Sequence, residues 1–206
     1  MFVRILQGRV ADEAGVRAEL DRWRRELTRA VPGWRRLTAG VADGRELVAL
    51  FGFDDAVAAR RGADHLAEAA GQTALEQHLV GRAGWHDCPV VHVTKGGDLE
   101  GAGFVRVVQG RMADPVRLAA MRGEVERTLR ERAPHVLGAL VAEHAEDPGG
   151  FTEVTWFTSE RATRAAERQM PVEVATQLGT VRSFMEGLRF LELREPLIAG
   201  AAVPVA

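Results

Sequence analysis

Two arginines stand in the middle of apolar stretches and are the first residues whose chemistry needs a structural explanation. Arg4 lies in the stretch FVRIL and Arg106 in the stretch FVRVV. A buried guanidinium must find an acceptor, because an unpaired charge in apolar surroundings is costly. Each arginine is therefore expected to pair with a carboxylate such as Glu153, to extend to solvent, or to face an anionic or phenolic ligand in a pocket. We favour pairing for at least one of them.

A histidine and two tryptophans complete the set of candidate site residues. His92 lies in the stretch VVHVT, where it is either a hydrogen-bonded sheet residue or an acid, a base or a haem ligand. Trp34 and Trp156 lie at or beside predicted strands, and each either packs in a core or forms a pocket wall. The candidate ligand-binding residues are therefore Arg4, Arg106, His92, Trp34 and Trp156, and the first three are also the candidates for catalysis.

The composition argues against several classes of function. The chain has 206 residues and a formal charge of −2, so it offers no basic footprint for nucleic acid or an anionic membrane. The single cysteine, Cys88, cannot form an intramolecular disulfide, and no His and Cys residues recur at metal-ligand spacing. No apolar run reaches the roughly 18 residues of a membrane span, and the N-terminus lacks a signal-peptide pattern. We expect a cytoplasmic protein without a metal site.

The first predicted strand of the chain occurs twice in the sequence. FVRILQGRVAD begins at Phe2 and FVRVVQGRMAD begins at Phe104, 102 residues later, and eight of the eleven positions are identical. Alternating side chains predict a strand, and an aspartate then begins a helix in both copies, followed by proline in the second. Apolar residues recur at helical spacing in both predicted helices, and the same offset carries Pro32, just beyond the first helix, onto Pro134. The sequence therefore predicts two copies of one unit.

Each copy predicts the element order β-α-β-β-α-β. A hairpin follows the first helix, around Asp43-Gly44 in the first copy and around a longer loop in the second. A second helical segment follows, with an interior break expected at Gly62 in the first copy and at Pro171 in the second. This order is that of the ferredoxin-like fold, so the predicted fold class is α+β.

We place the two ferredoxin-like units at residues 1–97 and 102–195, followed by a C-terminal tail at residues 196–206. A four-stranded sheet with both helices on one face leaves its other face uncovered. We expect the two sheets to pack face to face within the chain, as those of a symmetric dimer do, and further homodimerisation stays open. On the first strand we expect Val3 to face the helices and Arg4 to face the interior between the sheets.

This element order, the unit length of about 100 residues and the strand that leads into an Asp-initiated helix resemble the dimeric α+β barrel superfamily, and especially its antibiotic-biosynthesis-monooxygenase-like proteins. The resemblance covers nearly the whole chain as two consecutive domains. It implies units paired through their sheets, and activities that include cofactor-free oxygenation of polyketide quinones and haem degradation. The oxygenases use Asn, Trp, Tyr and Arg, and the haem-degrading members use Asn, Trp and His. This chain contains neither Asn nor Tyr, so neither set is carried over whole.

Three functions stay open at this stage. The leading one is a small-molecule-binding α+β barrel protein, whose finer form is a cofactor-free monooxygenase-like enzyme acting on a hydrophobic aromatic metabolite. The second is a haem-binding or haem-degrading protein with His92 or His86 as axial ligand. The third is a non-catalytic pseudo-dimer that binds a ligand or partner. Because fusion frees the halves to diverge, we expect one pocket to have been filled and the other kept.

Overall fold

A computed structural model describes residues 1–68, 71–94 and 98–200. The chain is α+β and separates into two compact units. Unit 1 comprises Met1–Pro89 together with the residues that follow Arg194, and unit 2 comprises Val90–Arg194. None of the described helices has the length and apolar character that a membrane span requires. The predicted α+β fold class is confirmed.

Unit 1 follows the predicted order of elements. It contains β1 (Phe2–Arg9), α1 (Glu13–Ala30), β2 (Trp34–Ala42), β3 (Glu46–Phe53), α2 (Ala56–Glu68), α3 (Gly71–Glu76) and the first half of β4 (Gly84–Thr94). Its antiparallel sheet has the strand order β4-β1-β3-β2. The hairpin between β2 and β3 turns at Gly44, whose positive φ of 76° suits glycine.

Unit 2 repeats this order. After a short 3-10 turn it contains β5 (Phe104–Met112), α4 (Pro115–Arg132), β6 (Val136–Glu143), β7 (Gly150–Phe157), α5 (Glu160–Arg168), α6 (Val172–Arg182) and β8 (Met185–Arg194). Its antiparallel strands have the order β8-β5-β7-β6, and the second half of β4 pairs with β6. The predicted tail then contributes β9 (Leu197–Gly200), which pairs with β2 of unit 1. Residues 201–206 of that tail lie outside the described residues.

The faces of β1 are the reverse of those predicted. Leu6, which shares its face with Arg4, packs in one cluster with the apolar stripe of α1. Arg106 of unit 2 contacts Glu167 of α5, which places the equivalent face of β5 under its helices as well. Both faces of β1 are buried, with Val3 2% and Leu6 0% exposed, so hydrophobicity alone does not mark the face that the helices cover.

One of the two predicted helix breaks is also wrong. α2 continues through Gly62 without a break. This glycine allows close packing, because a Cβ there would lie 2.9 Å from the ring of Phe53. Pro171 does separate α5 from α6, and it stands as the N-cap of α6. Proline has no amide hydrogen to donate, so it fits the start of a helix better than its interior.

Candidate functional site

The five predicted site residues do not form one cluster. Arg4 and Trp34 belong to unit 1, and Arg106, Trp156 and His92 belong to unit 2. Trp34 is 4% exposed and is part of the apolar core of unit 1. Trp156 is 2% exposed and lies on the sheet face opposite to that of Arg106. Arg106 therefore lies between the sheet and the helices, and His92, which pairs with Val141 of β6, stands on the same face of the sheet.

His92 is a sheet residue with a local polar contact. Its Nε2 lies 3.3 Å from the hydroxyl of Thr94, two residues further along β4, and its side chain is half-buried. His86 is likewise half-buried on the unit 1 part of β4. Within the described residues, no three His, Cys, Asp or Glu side chains come together in a way that could hold a metal ion.

Each duplicated arginine pairs with the carboxylate directly across from it on the neighbouring strand. Arg4 Nε lies 2.7 Å from Asp87 Oδ1 on β4. Arg106 donates from Nη2 and Nε to Glu192 Oε1 on β8, at 2.9 and 3.2 Å, and from Nη1 to Glu167 Oε1 of α5, at 2.6 Å. The predicted pairing is confirmed for both arginines, although Glu153 is not the partner. Because two carboxylates occupy Arg106, it has little charge left to offer an anionic ligand.

Glu192 is the centre of a charged network at this edge of unit 2. Burial of Glu192 opposes its ionisation, but the hydrogen bonds from Arg164 and Arg106 outweigh that effect and keep the pKa of Glu192 below its ordinary value. Arg164 also reaches Glu160, at 3.3 Å, and Glu167, at 3.4 Å. Positive and negative charges alternate here, so the network holds α5 onto β8 without a free charge of either sign.

The space between helices and sheet in unit 1 is filled by an aromatic trio, Trp23 of α1, Phe51 of β3 and Trp85 of β4. Ring centroids lie 5.8 Å apart for Trp23 and Phe51, 5.8 Å for Phe51 and Trp85, and 6.3 Å for the two indoles, which are stacked. A cavity beside α1 and β2 has a volume of only about 20 Å³. That space holds no more than a water molecule.

The aromatic trio is lost in unit 2. Counted in register from the duplicated arginines, Thr155 stands where unit 1 has its phenyl ring, and Phe190 stands in the place of the indole on β4. At the helix position, 102 residues on, is Val125. Phe190 does not fill the gap, since it is 47% exposed. Three packed rings have thus become two small side chains and one ring that reaches solvent.

The helices of unit 2 are correspondingly less buried. The stripe of α1 is buried at Val16, Leu20, Trp23 and Leu27. The matching stripe of α4 consists of Leu118, Met121, Val125 and Leu129, and all four are only half-buried. Neither α4 nor α6 has any buried residue. The two helices hold each other through Thr128, whose hydroxyl donates to Gln177 at 3.0 Å. We call the space between these helices and the Arg106 face of the sheet the unit 2 cleft.

Glu153 lies on the floor of the unit 2 cleft. It stands on β7 between the apolar register partners Val108 of β5 and Val141 of β6, and its side chain is half-buried. Its one hydrogen bond comes from the hydroxyl of Thr155, at 3.4 Å, and the described residues place no ion-pair partner beside it. Burial raises the pKa of Glu153, and the hydroxyl of Thr155 and the charge of Arg182 offset only part of that rise.

The sequence predicted Glu153 only as a partner for an arginine. The signal that could have singled it out is its place in the strand GFTEVTWF, where it is the one charged residue. A lone carboxylate inside such a strand must be paired, neutral or functional. Choosing among these needs the cross-strand register, which shows that the nearest arginine on β5 already has other partners.

Comparisons with known proteins give the fold. No family model and no curated protein matches the sequence. Among solved structures, a candidate monooxygenase from Fusobacterium nucleatum superimposes with a TM-score of 0.78 at 11% identity, over 97% of this chain and 94% of that one. An anthrone oxidase-like protein matches with a TM-score of 0.71 at 10% identity, over 100% and 95% of the two chains.

A third structure carries the name of the family suggested by the element order. It is an uncharacterised ferredoxin-fold protein from Listeria monocytogenes related to antibiotic biosynthesis monooxygenases, with a TM-score of 0.51 at 10% identity over 94% of this chain and 95% of that one. Identities this low carry information about the fold alone. The chain therefore has the ferredoxin-like α+β fold that its resemblance to antibiotic-biosynthesis-monooxygenase-like proteins implied.

Proposed function

We propose that the protein binds a hydrophobic aromatic small molecule in the unit 2 cleft, while unit 1 keeps the equivalent space filled. The observation that carries this proposal is the contrast between the two helix stripes, buried on α1 and half-buried on α4. An apolar stripe left half-exposed loses part of its hydrophobic stabilisation, and a flat aromatic ligand would restore it. Apolar walls with a few polar groups are typical of small-molecule sites.

The finer form of the proposal is a cofactor-free oxygenase. Such an enzyme removes a proton from an activated methylene group, and the electron pair left on carbon reduces dioxygen. A methylene and dioxygen then give a carbonyl and water, so the substrate supplies all the electrons and no cofactor is needed. The names of the structural neighbours, monooxygenase and anthrone oxidase-like protein, support this choice of chemistry.

The matched variants Val125→Trp and Val116→Trp test the binding proposal. Val125→Trp puts an indole where unit 1 has one, so we expect it to fill the unit 2 cleft and weaken binding of the uncharged probe 2-naphthol by about tenfold or more. Val116 is 77% exposed on the same helix, so Val116→Trp should leave the affinity unchanged. The measurement is a titration of naphthol fluorescence. Absence of binding by the unsubstituted protein, or equal effects of the two variants, contradicts the proposal.

The oxygenase form has its own test. The protein is incubated with anthrone in air-saturated buffer, and formation of anthraquinone is followed with dioxygen uptake. We expect one dioxygen consumed for each anthrone oxidised, and a lower rate with Val125→Trp. A rate equal to that of buffer alone, for anthrone and its hydroxylated analogues, removes the oxygenase form but leaves the binding proposal in place.

A further inference from the structure

We propose that Glu153 recognises and deprotonates the molecule bound in the unit 2 cleft, so that the cleft selects weak O–H or C–H acids and rejects anions. The substrate class is then an aromatic phenol, or an aromatic ketone with an activated methylene group. This inference rests on the proposed function of the cleft. It goes further by naming the polar group that a ligand meets there and the sign of charge that the group tolerates.

The first argument is the distribution of charge on the cleft face of the sheet. Arg106 is neutralised by Glu192 and Glu167, whereas Glu153 has a single neutral hydrogen bond from Thr155. On the other elements around the cleft, Arg122 reaches the carbonyl of Val91, Arg182 lies over the ring of Phe190, and His92 contacts Thr94. Glu153 is therefore the acceptor with the most capacity left on the cleft face of the sheet. A carboxylate or sulfate on the ligand would meet like charge there, while a hydroxyl could donate to Glu153.

The second argument is that Glu153 has no structural task. A carboxylate placed between Val108 and Val141 loses hydration and gains only one weak hydrogen bond in return. A residue that lowers stability, and whose one hydrogen bond does not offset the cost of its burial, is a candidate for function. It also stands on β7, which is paired on both sides, so its backbone is held firmly.

The proposed step is a simple proton transfer. The carboxylate of Glu153 takes the proton from carbon or oxygen, and the electron pair of the broken bond stays on the ligand as an enolate or phenolate. In the oxygenase form, this pair forms a bond from carbon to dioxygen, and the proton returns from Glu153 to the outer oxygen to give a hydroperoxide. Loss of the second proton from the same carbon then breaks the O–O bond, so that the carbonyl forms and the departing hydroxide takes up that proton and leaves as water. Glu153 is then a carboxylate again, so the cycle closes without another reactant.

Ionisable side chains stand on the elements packed around Glu153. They are Arg182 on α6, Arg122 on α4, Glu143 on β6, His92 on β4 and the paired Arg106 on β5. Arg182 stabilises the carboxylate of Glu153. Arg122 reaches the backbone carbonyl of Val91 at 3.4 Å. The preference for a donor ligand should therefore strengthen with rising pH, as Glu153 ionises, for as long as the ligand keeps its own proton.

Three probes of one shape test the inference: 2-naphthol, which donates a hydrogen bond, 2-methoxynaphthalene, which cannot, and 2-naphthoate, which is an anion. We expect the protein to bind naphthol about tenfold or more tightly than its methyl ether, and naphthoate least. Glu153→Gln should remove most of the preference for naphthol and leave the affinity for the ether unchanged. Glu124→Gln, at an exposed position of α4, is the control and should keep the preference.

The possible results distinguish failure of this inference from failure of the proposed binding function. If the protein binds all three probes and Glu153→Gln keeps the full preference, the inference is wrong and the cleft still binds aromatic molecules. If the protein binds none of them, both proposals fall. Circular dichroism of Glu153→Gln and of a second variant, Glu153→Leu, checks folding. Unfolding of both would show a structural role for Glu153 and overturn the inference.

Discussion

Replacing each duplicated arginine by methionine should give two different losses of stability, although the two strands are nearly identical. Arg106 and Glu192 have only 15% and 18% of their side chains exposed, whereas Asp87, the partner of Arg4, is 40% exposed. Methionine keeps the length and packing of the stem and removes the charge. Each variant therefore leaves one carboxylate without its arginine, in surroundings that differ in their access to water.

The magnitudes follow from these surroundings. Breaking a buried ion pair costs about 3–5 kcal/mol, and because Glu192 keeps Arg164, we expect roughly 2–3 kcal/mol for Arg106→Met. Arg4→Met loses a pair whose carboxylate is open to water and which is worth up to about 1 kcal/mol. It also loses a cation–π contact with Trp85, whose ring centroid lies 4.6 Å away, worth about 0.5–1 kcal/mol, so we expect roughly 0.5–2 kcal/mol in total.

The assay is urea unfolding followed by circular dichroism, with Arg106→Met, Arg4→Met and the double variant Arg106→Met/Glu192→Gln. Linear extrapolation gives the free energy of unfolding, and the slope against urea shows whether the two units unfold in one step. Because Arg106 and Glu192 form one ion pair, the double variant should lose less stability than the sum of the losses in Arg106→Met and Glu192→Gln. A loss in Arg4→Met that equals or exceeds the loss in Arg106→Met would refute the argument from burial.

Glycines and carboxylates provide two further predictions. Gly62→Ala should destabilise unit 1 because the new Cβ would lie 2.9 Å from the ring of Phe53, whereas Gly123→Ala in α4 meets nothing within 4 Å and should stabilise by about 0.5–1 kcal/mol, as thermal melting would show. Glu153→Gln should stabilise the protein at pH 7, because the raised pKa of Glu153 in the folded state makes its carboxylate unfavourable, and this gain should vanish as the pH falls below the ordinary value of 4.5. Glu192→Gln should destabilise the protein at pH 7, and this loss of stability should fade as the pH falls through the lowered pKa of Glu192. A change in melting temperature of the same sign for Glu153→Gln and Glu192→Gln, measured between pH 4 and pH 8, would contradict this.

The sequence predicted the helices and strands better than it predicted how deeply each of them is buried. Each of α1 and α4 has four apolar residues at helical spacing, yet one stripe is buried and the other half-buried. The difference lies in what the sheet presents to each helix, and a helix pattern contains no information about that. The faces of β1 were beyond prediction for a related reason, since Val3 and Leu6 are both buried.

The candidate site could not be found by aligning the two repeats at a single offset. An offset of 102 residues holds for the first strands and helices, but Arg4 and Asp87 are 83 residues apart, whereas Arg106 and Glu192 are 86 residues apart. The longer hairpin loop and other insertions in unit 2 change the offset, so that Thr155 and Phe190 align with the aromatic trio only through the register. Pairing of the arginines was predictable because it rests on the cost of an unpaired charge, whereas the identity of their partners was not.

The duplicated strand also bears on how the chain reaches its native state. Because β1 and β5 are nearly the same in sequence, a partly folded chain could place β1 beside β7, or β5 beside β3, with little change in the side chains that meet. Exchange of like elements is a characteristic failure of repeat proteins. The local contacts of a strand cannot correct such an error here, so the short connections from β1 to α1 and from β5 to α4 must direct each strand to its own unit. Cutting or circularly permuting the chain at one of these connections should therefore slow refolding far more than it lowers the melting temperature.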